Sequence, residues 1–129
     1  MTNAEQTPVP APTVLVVEDD DDTRAEIRDL LEEQGYRVAT ARNGLDAQEY
    51  LRKRPSPACM VLDLWMPVMD GWALAAEMNA GRLPRVPFVV VTAAAAYWGY
   101  PSPPGRVLRK PASPARLLAL VADAVRGTD

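Results

Sequence analysis

Apolar runs of four or five residues recur along the chain, separated by stretches in which apolar positions return every three or four residues. Residues 14–17 (VLVV) read as a buried strand. Residues 21–34 read as a helix with Ile27, Leu30, Leu31 and Gln34 on one face and Gly35 as its stop. A weaker strand spans 36–40, and a second helix over 44–53 carries Leu45, Ala47 and Leu51. The run 58–62 (ACMVL) stops on Asp63, and a third helix is expected over about 70–80. Residues 88–91 (FVVV) form another buried strand, and 107–108 a short one. Ser113 and Pro114 then supply an N-cap and a proline at the first helical position. The last helix carries Leu117, Leu120, Val121, Ala124 and Val125, with Gly127 just past its end. Strands alternating with helices predict an α/β fold, a parallel sheet covered on both faces. Residues 1–12 are polar and proline-rich and are expected to form a disordered leader before one domain over 13–127.

The ends of the strands carry the chemistry. The first runs into Glu18 and Asp19, the third into Asp63, the fourth into Thr92, and the fifth into Arg109 and Lys110. In a parallel sheet all carboxyl ends lie on one edge, where ligands bind. Four distant stretches therefore bring two or three carboxylates, a hydroxyl and an ammonium together. Crowded carboxylates resist ionising unless a cation relieves them. Magnesium suits such a cluster, because it seeks hard oxygen ligands and takes one or two carboxylates plus phosphate oxygens. A carboxylate that attacks phosphorus gives an aspartyl-phosphate, and Asp63 is the candidate nucleophile. Taken singly, each signal has a plainer reading. A strand-end aspartate is most often a cap or turn residue, a Lys-Pro pair is most often a turn, and Glu18 to Asp22 could be a solvated helix start. The combination, in order and each at a strand end, carries the inference.

Composition narrows the field. With 129 residues, 48% hydrophobic and 24% charged, the chain is an ordinary globule able to bury a core. Net charge is −3 and does not suggest nucleic acid. The first 80 residues hold 7 basic and 15 acidic side chains, net −8, and the rest hold 7 and 2, net +5. The simpler reading of this asymmetry is an acidic site in the first half; the other is a basic surface for an acidic partner. There is no histidine, which removes imidazole metal sites and histidine-based triads. The single cysteine, Cys59, lies in an apolar run and cannot form an intramolecular disulfide. No segment reaches membrane-spanning length and no signal peptide is evident, so a cytoplasmic location without membrane insertion is expected.

The stretches VLVVEDDDDTR, TARNGLDA, VLDLWMPVMDGW, VVVTA and LRKP resemble the receiver domain of bacterial response regulators over roughly residues 13–126. The resemblance implies a doubly wound, flavodoxin-like sheet of five parallel strands in the order 2-1-3-4-5. It implies Glu18 and Asp19 as the acidic pair that organises Mg2+, Asp63 as phosphoacceptor, and Trp65 as donor of a backbone carbonyl to the metal. Thr92 would be the switch hydroxyl and Lys110 the partner of the phosphoryl oxygens, with the Lys110-Pro111 bond cis. The implied phosphodonor is a sensor histidine kinase or a histidine phosphotransfer protein, and the implied role is signalling rather than turnover of a separate substrate.

Other classes fit less well. A receiver-like interaction module that works without phosphorylation would be expected to lack one of Asp19, Asp63, Thr92 and Lys110. Phosphatases of the haloacid-dehalogenase type place a second acid two residues after the nucleophile, where Trp65 stands. A dinucleotide-binding domain wants G-x-G-x-x-G after the first strand, not EDDDDTR. The indole of Trp65 either crowds the approach of water to a phosphoryl-aspartate or packs on the surface.

One region departs from the pattern. Thr92 and Lys110 are only 18 positions apart, and Pro101, Pro103, Pro104, Gly99 and Gly105 lie between them. The fourth helix of a receiver is therefore expected to be missing, or cut to about a turn around 93–97. Val107 stands where receivers usually carry a switch aromatic, which argues against the usual aromatic switch. Tyr97, Trp98 and Tyr100 either patch the gap or form a partner surface.

Overall fold

The computed structural model describes residues 11–93 and 106–127. Its elements run β1 (Thr13–Val17), α1 (Asp21–Glu33), β2 (Arg37–Ala41), α2 (Gly44–Lys53), β3 (Cys59–Leu62), α3 (Gly71–Asn79), β4 (Phe88–Thr92), β5 (Arg106–Arg109) and α4 (Pro114–Arg126). The strands form one parallel sheet in the order β2-β1-β3-β4-β5, as expected. The expectation of a lost or shortened helix falls on residues 94–105, and that of a disordered leader largely on 1–10; both stretches lie outside the described residues.

Alternation within the strands builds two cores. Successive side chains of a strand point to opposite faces. Val14, Val16, Val61, Val89 and Val91 meet Ile27 and Leu31 of α1 and Leu117 and Val121 of α4. Leu15, Val17, Met60 and Leu62 meet Leu51 of α2 and Leu74 and Met78 of α3. Burial on both faces explains why these strands read as unbroken apolar runs.

The helices start where the sequence places caps. Asp20, Asn43, Asp70 and Ser113 each accept a hydrogen bond from the backbone N–H three residues on. The expected stops hold as well: Gly35 has φ +94° and Gly127 φ +77°. Two residues expected on buried faces are exposed, Gln34 and Leu45. Gln34 is already the C-cap of α1. In α2 the buried positions are Gly44, Ala47 and Leu51, so the inward face passes through a glycine. A Cβ at position 44 would lie 2.6 Å from the carbonyl oxygen of Met69, a contact only glycine permits.

Candidate functional site

The turn after β1 carries two acids in succession. The N–H of Glu18 still continues the sheet, donating to the Ala41 carbonyl at 3.0 Å, and its side chain is 2% exposed. Asp19 is exposed. Asp63 follows β3, with its N–H donating to Val17 O at 3.1 Å and its side chain turned inward, 6% exposed. One carboxylate oxygen from each of Glu18, Asp19 and Asp63 lies within 4.8 Å of the others, an arrangement that can hold a metal ion.

Lys110 reaches into this cluster from the end of β5. Its ammonium donates to Glu18 Oε1 at 2.7 Å and to Asp63 Oδ2 at 3.1 Å. Its own N–H donates to Thr92 O at 2.8 Å, so the ends of β4 and β5 are tied together. The Lys110-Pro111 bond is cis. The other oxygen of Asp63, Oδ1, accepts from the Trp65 N–H at 3.2 Å. Both carboxylate oxygens of Asp63 thus have donors.

Burial is the largest influence on the Glu18 carboxyl, and it lifts the pKa from 4.5 to about 7. Hydrogen bonds from Lys110 and from the Asp20 N–H oppose the rise, and the Asp63 charge adds to it. The 2.7 Å ion pair and the raised value pull in opposite senses. The upward direction stands, because one ammonium is shared between two buried acids. Burial also works against the Lys110 ammonium, but its hydrogen bonds to Glu18 and Asp63 and their charges outweigh it, and its pKa rises.

Thr92 ends β4 with its side chain fully buried. Its Oγ1 has no hydrogen-bond partner among the described residues. An unsatisfied buried hydroxyl costs about 1–3 kcal/mol, so it marks a place where a polar atom from outside can be received.

The loop from Asp63 to α3 holds the Asp63 backbone in place. Gly71 donates to Leu64 O at 2.9 Å, and a Cβ there would come within 2.7 Å of Asp63 O. Trp65, 40% exposed, lies edge-on to Trp72 with ring centroids 5.0 Å apart. The Asp70-Gly71 pair reads as a turn in the sequence, but its close approach to the Asp63 backbone does not show there, nor does the place of Trp72 beside Trp65. Sequence reasoning passed over Arg24, one turn into α1, whose guanidinium donates to Glu18 O at 2.9 Å.

The sheet order, the acids at the ends of β1 and β3, and the lysine at the end of β5 coincide with one family. Its model, the response regulator receiver domain, matches residues 14–122. The chain belongs to this family. The receiver is 37% identical over 82 residues to the transcriptional regulatory protein AfsQ1 of Streptomyces coelicolor, a match covering 64% of this chain and 35% of AfsQ1. It is 34% identical over 83 residues to the two-component response regulator ORR5 of Oryza sativa (subsp. japonica), covering 64% of this chain and 62% of ORR5. The match thus spans only part of these relatives. Among solved structures, the receiver domain of the sensor histidine kinase PA1611 from Pseudomonas aeruginosa superposes with a TM-score of 0.78 at 27% identity, covering 90% of this chain and 98% of that one. That structure holds a magnesium ion in its active-site cleft. Among the described residues of this receiver, no helix is long and apolar enough to cross a membrane.

Proposed function

We propose that this receiver accepts a phosphoryl group on Asp63 from a phosphohistidine, on a sensor histidine kinase or a histidine phosphotransfer protein, and thereby changes its binding to a downstream protein. The observation that carries the reading is the convergence on Asp63 of Lys110, at 3.1 Å, and of Glu18 and Asp19, within 4.8 Å. The donor set fits magnesium: Glu18, Asp19 and Asp63 offer three hard carboxylate oxygens, and the resemblance to receivers implies the Trp65 carbonyl as a further ligand. When bound, the metal neutralises charge on the phosphoryl oxygens and on the acids around them.

The chain's own groups account for the rest. A carboxylate oxygen of Asp63 attacks phosphorus; the O–P bond forms as the donor's N–P bond breaks, and the imidazole leaves with the bonding pair. Lys110, already hydrogen-bonded to Asp63, pairs with a phosphoryl oxygen in the product. The Thr92 hydroxyl, buried and without a hydrogen-bond partner among the described residues, donates to another. A groove of about 530 Å³ between α1 and α4, lined by Thr23, Ile27, Leu30, Lys110, Pro111 and Leu117, gives a donor protein an apolar seat with Lys110 on its wall. In this reading the chain is a signalling module of the cytoplasm, its receiver domain is 13–127, and it turns over no separate substrate.

The test is intact mass after incubation with a small phosphoramidate and magnesium. Wild type is expected to gain one phosphoryl group, and Asp63→Asn none. Equal labelling of both proteins, or labelling undiminished by EDTA, overturns the assignment. The same sample times hydrolysis. Trp65→Asn is expected to shorten the life of the label if the indole shields it, and an unchanged lifetime leaves the ring a packing role, as in its edge contact with Trp72.

A further inference from the structure

We infer that Arg24 is the positioning residue that makes Glu18 and Asp19 a usable pair, and that magnesium affinity depends on its hydrogen bonds rather than on its charge. The inference rests on the magnesium reading above. Consecutive residues of an extended chain point to opposite sides. For Glu18 and Asp19 both to bring an oxygen within 4.8 Å of Asp63, the backbone must turn between them. That turn falls in the three residues between Val17, the end of β1, and Asp21, the start of α1.

Arg24 holds it from the first turn of α1. Its Nη1 donates to the carbonyl of Glu18 at 2.9 Å and lies 3.5 Å from that of Asp19. Its Nη2 pairs with Asp21. The side chain is only 16% exposed, which sets it apart from the half-exposed Arg28 one turn on. Both backbone groups of Glu18 are therefore held, the N–H by Ala41 O and the carbonyl by Arg24. The Asp20 N–H closes the turn onto Glu18 Oε2 at 3.1 Å. Partners that orient metal ligands from behind typically change metal affinity 10–100-fold when removed.

Charge and position predict opposite signs, which makes the inference decidable. A cation removed beside a metal site relieves repulsion and should tighten binding. Loss of the clamp should weaken it. The probe is Mn2+, counted as the free ion by electron paramagnetic resonance and displaced by Mg2+, on the full chain at constant ionic strength. Arg24→Ala is expected to raise the dissociation constant about tenfold, with an intact circular-dichroism spectrum. Arg24→Lys, which keeps the charge and one donor, should fall between it and wild type. Arg28→Ala, which removes an equal charge from the same helix, should bind as wild type does or tighter. Arg24→Ala binding as tightly as wild type, or tighter, overturns the inference. Should Arg24→Ala fail to fold, Arg24→Lys decides alone: weakened binding supports the clamp, and unchanged binding overturns it. Should wild type bind no more tightly than Asp19→Asn, the magnesium reading itself fails, and that result is distinct from a failure of the clamp.

Discussion

At the scale of single residues, the site is a set of groups held against their ordinary preferences. Glu18 shows this most clearly. Burial raises its pKa to about 7, against 4.5 for a free side chain. A carboxyl raised in the folded state favours folding at low pH. Its contribution is complete below about 4.5 and is lost as pH rises through about 7, because the unfolded chain releases the proton first. Metal-free protein is therefore expected to lose thermal stability between pH 5 and pH 8, and Glu18→Gln should lose less over the same range. Magnesium should restore the wild type more at pH 8 than at pH 5, since it takes the ionised form. Melting curves in EDTA and in magnesium at both pH values check this, and a Glu18→Gln slope equal to that of wild type sinks it. Cys59 is displaced in the same sense without a role in the site: burial pushes its thiol up to about 12, which keeps it a neutral core residue.

At the scale of elements, the loop between β3 and α3 carries the tightest constraint. Gly71 is where α3 begins, and any Cβ there meets the Asp63 carbonyl at 2.7 Å and Leu64 Cα at 3.0 Å. Both neighbours are backbone and cannot rotate away. Gly71→Ala is expected to cost about 1–3 kcal/mol in urea unfolding and to slow phosphorylation, because the relief must move Asp63. A variant with unchanged midpoint and labelling rate would show that the loop can give. The element types were readable from apolar runs, because burial on both faces leaves an unambiguous run, and the start of α4 from the Ser113-Pro114 cap; the strand order followed only from the resemblance of the strand-end motifs to receivers. Periodicity failed where the inward face ran through a glycine. Leu45 looked like core, but Gly44 is what packs on Met69, and Leu45 is left 48% exposed. The cluster of Glu18, Asp19, Asp63 and Lys110 was readable because each of these residues stands at or just past a strand end, whereas Trp65 was named only through the resemblance. Arg24 was not, because it acts through backbone carbonyls, which no side-chain motif records.

At the scale of the whole molecule, the parallel sheet gathers charge at one edge and must bear its cost there. Three carboxylates lie within 4.8 Å of one another, two of them almost fully buried, and Lys110 answers Glu18 and Asp63 together. Like charges that cannot be hydrated oppose one another, and the fold carries that opposition in the absence of the proposed cation. Removing one of the acids should therefore strengthen the metal-free fold while abolishing its chemistry. Asp63→Asn keeps an oxygen for the Trp65 N–H and leaves Lys110 its 2.7 Å bond to Glu18. It is expected to raise metal-free stability by about 1 kcal/mol, on the order of 4 °C in the melting midpoint for a domain of this size. Magnesium should reverse the order. Wild type gains about 2.7 kcal/mol at a hundredfold excess over its dissociation constant, and the variant, short of a ligand, gains less. The pair of melting curves, in EDTA and in saturating magnesium, should cross. If Asp63→Asn melts below wild type without metal, the acid is a net stabiliser through Lys110, and the edge does not store the repulsion assigned to it.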